Sequence, residues 1–406
     1  MKIPASMVRT AILLGCPLLL AAAGGAVKVG KARFGLDRWT YIQADNERVP
    51  TSKKKGSFGI GFAYVNGDGK ADIASGAHFY RNPGGDMSKA PWPRVDLPNS
   101  PATGNPVDAG LLFNVKGAGP ARDIMAEDLP NIVWLHTDDP QGGKWTARVV
   151  AQMPPPRHGN GRMIKLAKIT PGAKRPDILL TGGGGTYLLQ VPEQPEAGNW
   201  PITKITHTDA DEQKAIGLGD IDGDGHVDLV LAVGIRLPDI EWWGNPGDGS
   251  ANWKKHPLGK TINMAKMIEM ADVNGDGRLD VVATDSEHVD SGLFWFEAPA
   301  DPVKGKWIRH DVAKGYNGLD SMSVEDMNAD GRPDIVIGET KDKLRLVIYE
   351  NVEGEKSWKE HLISEGKESH KGANAVDLDG DGDLDLVSIA YFGFKELHVW
   401  RNDNGR

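Results

Sequence analysis

Five stretches of the chain set oxygen-bearing side chains at alternate positions and close on an aspartate. They are Asn66, Asp68 and Asp72; Asp220, Asp222, Asp224 and Asp228; Asp272, Asn274, Asp276 and Asp280; Asp326, Asn328, Asp330 and Asp334; and Asp377, Asp379, Asp381 and Asp385. Hard oxygen donors at this spacing, with glycine between them for a tight turn, suit Ca²⁺. An EF-hand would close on Glu at the twelfth position and enter a helix. Here an Asp at the ninth position closes the loop and strand-forming residues follow. The expectation is a strand–loop–strand cation site in each stretch, up to five structural Ca²⁺ in all. The alternative for any one loop is a solvated turn. Five in register argue against it, because clustered carboxylates without a counter-ion repel strongly at short range.

A second group of residues could do acid–base chemistry: His158, Arg162, His288, Tyr316 and His370. His or Tyr would act as base and acid, with Arg neutralising a carboxylate or enolate, as β-elimination on a sugar requires. Lys53, Lys54, Lys55, His78, Arg157, Arg236, Asn317 and Lys371 fall in the same kind of connection. The bland reading is that each is a solvated loop residue. His256, His310 and His361 each follow a Trp by three and read as structural. The chain has no Gly-x-Ser-x-Gly elbow, no His-Glu-x-x-His helix and no phosphate loop. Gly182 to Gly185 reads as a tight connection between strands.

The elements that must carry these residues follow from a repeat. Trp recurs at 39, 92, 145, 200, 253, 307 and 358, and an Asp opening an apolar run recurs at 72, 123, 177, 228, 280, 334 and 385. Both markers step by 51–55 residues. In the fourth copy, Lys214–Gly219, Leu229–Val233, Glu241–Trp243 and the stretch from Trp253 read as four short strands. Four strands repeated seven times predict an all-β, seven-bladed β-propeller. The last copy stops after three strands, and Trp39–Gln43 supplies one strand with nothing before it. The N-terminal strand is therefore expected to complete the last blade, leaving no open edge. Strand alternation then puts the acidic loops on one face and the acid–base candidates on the other, which is expected to be a basic central face. Blades two and three lack the alternating acids and are expected to bind no metal.

The acidic loops resemble the FG-GAP/VCBS repeat family of calcium-loop propellers. The closest likeness is in blade one, with Phe58-Gly59, Asn66 through Asp72, and Gly76-Ala77. Blade one departs in having Tyr64 at the first ligand position. The resemblance covers residues 39–406 and implies the fold and the Ca²⁺ loops, while such repeats serve many functions. The Trp-x-x-His and Asn-Pro-Gly-Asp-Gly elements also look like the propeller part of aldos-2-ulose dehydratases, with no catalytic residue carried over.

Composition sets the remaining bounds. The 406 residues carry a formal charge of −9, which argues against nucleic acid or an anionic membrane as partner. The one cysteine, Cys16, lies in the N-terminal apolar run, so the body has no disulfide and no Cys-based zinc site. Residues 1–23 read as a signal peptide, with Lys2 and Arg9 ahead of Ala11–Leu20 and a small-residue site at Ala21–Ala23. The apolar run is too short for a transmembrane segment. A lipoprotein anchor through Cys16 is the alternative to release. Residues 24–38 read as a linker and 39–406 as the propeller. The expected protein is secreted or periplasmic and acts on a carbohydrate or other polyhydroxylated or anionic ligand, by a lyase or dehydratase reaction. The alternative is a non-catalytic module for a glycan or a protein partner.

Overall fold

The computed structural model describes residues 32–48, 59–156, 163–207, 213–233, 239–286, 289–352, 357–367, 373–390 and 395–405. Among them, 28 strands form seven antiparallel sheets of four. Blade one is Ile60–Ala63, Asp72–Ser75, His78–Tyr80 and Arg94–Asp96. Blade four, the copy read above, is Gln213–Gly219, Asp228–Val233, Asp239–Gly244 and Lys254–Lys260. The protein is a seven-bladed β-propeller. No helix among the described residues is long and apolar enough to cross a membrane.

The second strand of each blade is apolar on both sides, because both faces of a blade are covered by neighbours. Asp228–Val233 and Asp334–Glu339 are buried at every residue. The apolar side chains gather into seven clusters, each shared by two consecutive blades. One joins Ala63, Phe79 and Ala74 of blade one to Ile124 and Val133 of blade two. Another joins Ile42, Val387 and Val399 of the last blade to Ile73 and Tyr80 of the first. The second of these makes the ring closed.

The closing strand, Trp39–Asp45, pairs antiparallel with Leu397–Asn402, and Tyr41 stands opposite Trp400. Trp400 is 2% exposed. Without this strand its indole and a row of backbone donors and acceptors would face water. The stretch just before the strand also touches the ring. The Arg33 and Phe34 N–H groups donate to Asn328 O at 2.8 and 3.0 Å, and Leu36 is buried in the cluster shared by blades six and seven. The part of the expected linker that is described is therefore packed.

The repeating Trp marks the foot of each outer strand. Four of these indoles donate to a carbonyl three or five residues earlier: Trp39 to Leu36, Trp92 to Met87, Trp145 to Gly142 and Trp200 to Pro195, at 2.8–3.0 Å. The His residues three further on lie against the sheet. His256 stacks on Trp242 with ring centroids 4.2 Å apart, and His310 stacks on Trp295 at 4.3 Å. The run at Gly182–Gly185 is a two-residue hairpin, with Gly182 opposite Gly185 and Gly184 at φ +74°. Only glycine takes that backbone without strain.

Candidate metal centres and the opposite face

Each acidic loop joins the first strand of a blade to the second, so all five lie on one face. The closing Asp sits at the start of the second strand, buried, and its two oxygens bridge different parts of the blade. Asp228 Oδ2 accepts from Ile221 N at 3.0 Å, and Oδ1 accepts from Asn245 N, beyond the third strand, at 2.7 Å. Asp72, Asp280, Asp334 and Asp385 do the same, with Asn82, Ala298, Asn351 and Asn402 as the distant donors. Blades two and three keep this Asp although they lack the other acids. Asp123 accepts from Val115 N and Trp134 Nε1, and Asp177 accepts from Ile169 N, Thr170 N and Thr170 Oγ. Reading the ninth position as a ligand alone missed this second duty. The signal was present: Asp123 and Asp177 persist where the alternating acids do not.

The first acid of each loop organises the turn. Asp220 accepts from Gly223 N and Gly225 N, and Asp377 accepts from Gly380 N and Gly382 N, at 2.7–3.1 Å. These bonds fold the following carboxylates inward. In blade four, one oxygen each of Asp220, Asp222 and Asp224 lie within 4.8 Å of one another; in blade seven the same holds for Asp377, Asp379 and Asp385. Blade seven adds Asp383, whose Oδ1 is buried with no hydrogen-bond partner. Burial, then Asp381, pushes Asp383 up to about 7. Such a set of hard oxygens matches the donor chemistry of Ca²⁺.

Blades five and six differ at the seventh loop position. Arg278 reaches Asp276 and Arg332 reaches Asp330, so the fifth-position carboxylate there pairs with a cation from its own loop. Blade one has Tyr64 in place of the first acid. Burial, then Asp377 of blade seven, pushes the Tyr64 hydroxyl up to about 12. Its remaining donors touch each other, with Asn66 Nδ2 donating to Asp68 Oδ2 at 2.8 Å. Burial also raises the closing acids, to about 6 for Asp72, about 7 for Asp228 and Asp280, and about 8 for Asp334. A buried carboxylate with only neutral donors is held back from ionising.

On the opposite face, His158, Arg162, His288 and His370 lie outside the described residues, as do Lys53–Lys55, Arg157, Arg236 and Lys371. Tyr316 is described and is 2% exposed. Its hydroxyl lies 2.6 Å from that of Tyr349, which donates to Glu360 at 2.9 Å. The Arg345 guanidinium covers the Tyr316 ring at 4.1 Å and pairs with Glu339 at 2.7 Å. Burial raises the Tyr316 hydroxyl. Tyr316 thus belongs to a packed network between blades five and six. His78 is likewise buried, 3.0 Å from Asp96. The described part of this face also holds buried acids, namely Asp108, Glu127, Asp285, Asp320 and Glu339 at the strand ends. It is a mosaic of paired charges more than a uniformly basic surface.

Residues 220–283 and 326–388 match the FG-GAP-like repeat family model. Each stretch begins on the first acid of a loop, in blade four and blade six, and ends within the second strand of the following blade, Asp280–Ser286 and Asp385–Ile389. No curated protein matches the chain.

Proposed function

We propose that this chain, a seven-bladed propeller of FG-GAP-like repeats, is a Ca²⁺-stiffened ring that captures a polyhydroxylated or anionic glycan on the face opposite its acidic loops. The observation that carries the metal part is the convergence of Asp220, Asp222 and Asp224, and of Asp377, Asp379 and Asp385. Asp220, Asp222 and Asp224 would hold one ion, and Asp377, Asp379 and Asp385 another. The cation would supply positive charge where the chain itself has only carboxylates.

Capture is the better-supported activity because the one described catalytic candidate is engaged elsewhere. A general acid or base must reach the proton it moves, and the Tyr316 hydroxyl is buried against Tyr349. The lyase or dehydratase reading rests on His158, Arg162, His288 and His370 alone.

The test is a glycan array probed with purified chain, in Ca²⁺ and then in chelator, alongside an absorbance assay with uronic-acid polymers and keto-sugars. Glycan retention without new ultraviolet absorbance supports capture. A steady rise in absorbance from unsaturated product would establish the reaction in its place.

A further inference from the structure

Arginine stands at the seventh loop position in three blades, as Arg175, Arg278 and Arg332. In blades five and six it pairs with the fifth-position carboxylate, Asp276 or Asp330. Each of these two also donates to a carbonyl at or just after the end of its blade's third strand. Arg278 reaches Ala298 O at 2.9 Å, and Arg332 reaches Asn351 O at 2.6 Å. Arg175 of blade three repeats that second contact, donating to Glu193 O at 2.7 Å, and adds Val115 O of blade two at 3.0 Å. The carboxylate contact has no counterpart there, because the fifth position is Ala173.

Open space takes the place of the missing carboxylate. Ala173 and Arg175 line a cavity of about 330 Å³, a size that takes small ligands. A guanidinium carries five N–H donors, and the two carbonyls occupy two of them. Among the described residues no carboxylate pairs with Arg175. Glu193 lines the cavity, but it is exposed and meets Arg175 through its carbonyl. Asp177 lines it too, and its oxygens are taken by Ile169 N, Thr170 N and Thr170 Oγ. Two cations, Lys174 and Arg175, thus share the lining with two acids, and neither acid is in an ion pair with either cation. Buried Val191 gives the cavity an apolar wall.

We infer that this cavity binds the carboxylate of a short-chain organic acid, in the role that Asp276 and Asp330 play in blades five and six. The planar fork of Arg175 donates to its oxygens, and the carbon chain lies against Val191. The site is on the acidic-loop face, apart from the face proposed to capture glycan, and does not depend on that capture.

The test is butyrate titrated into the full chain in Ca²⁺ at pH 7, read by NMR at the Arg175 Nε–H signal. Loss of that signal in Arg175→Lys assigns it. Butyrate should shift the signal saturably, and butanol should not. Ala173→Asp rebuilds the internal carboxylate of blades five and six, so it should weaken butyrate about tenfold or more. Where Arg175→Lys does not fold, calorimetry of Ala173→Asp against wild type decides alone. No saturable response to butyrate overturns the inference, as does an Ala173→Asp affinity equal to wild type. A response to butanol equal to that of butyrate, or inorganic phosphate binding more tightly than butyrate, overturns it as well.

Discussion

The Tyr41 hydroxyl lies 2.9 Å from His398 Nδ1, and the two residues are 357 positions apart in the chain. Tyr41 comes from the strand that closes the ring and His398 from the strand it pairs with. One contact thus joins the beginning of the propeller to its end. Deleting residues 37–46 should expose Trp400 and leave an unpaired edge. The truncated protein should melt well below the full chain or aggregate, far beyond the effect of trimming a loose terminus. Unchanged melting and solubility would show that the ring holds without this strand.

Metal removal should act on the whole ring, since each loop lies between two strands of a blade. A bound ion stabilises by about 2.7 kcal/mol at a hundredfold excess over Kd. Chelation should therefore lower the melting temperature by several degrees. Asp224→Ala should reproduce part of that loss, and Lys174→Ala in blade three should not. Calorimetric melts with and without chelator check both.

The closing Asp should matter even where no ion is expected. Asp123→Ala would orphan Val115 N and Trp134 Nε1 together. Buried unsatisfied donors cost about 1–3 kcal/mol each. The variant should lose about 3 kcal/mol or more in denaturant melts, with the same loss in Ca²⁺ and in chelator. Asp228→Ala should lose more in Ca²⁺ than in chelator.

The period of the repeat made the architecture legible. Two markers at a common spacing, one element out of phase at the ends, are enough to specify seven blades and their closure. The acidic loops were legible as motifs for the same reason. Their inner wiring was not, because a carboxylate that accepts backbone N–H bonds and one that faces a cation look alike in sequence. Tyr316 shows a different limit. Its place on the expected face followed from strand alternation, but its hydroxyl is taken by Tyr349, 33 residues away on the next blade.

Tyr316→Phe removes one partner of the Tyr349 hydroxyl, which keeps Glu360. The expected result is a stability loss of about 1 kcal/mol, with glycan retention unchanged. Loss of ligand binding or turnover in a variant of full stability would restore Tyr316 to the site.

His398 makes stability depend on pH. Its imidazole is held down from 6.5 to about 4 by burial first, then by Lys367 and Arg48. The unfolded chain takes up the proton first as pH falls, so the contribution is present above pH 6.5 and lost progressively toward pH 4. It amounts to about 3 kcal/mol. Denaturant melts across that range should show the step, and His398→Gln should flatten it.

The two ends of the closed ring leave it side by side. Asp403 N donates to Arg38 O at 3.0 Å, and Asn404 Nδ2 donates to the same carbonyl at 3.2 Å. Both sit at the feet of the last blade's outer strands, on the side of the acidic loops. Whatever is joined to the propeller, at either end, is hung from one point on that side. The face opposite the acidic loops therefore points outward from any such mounting, like a dish carried on a stalk at its rim.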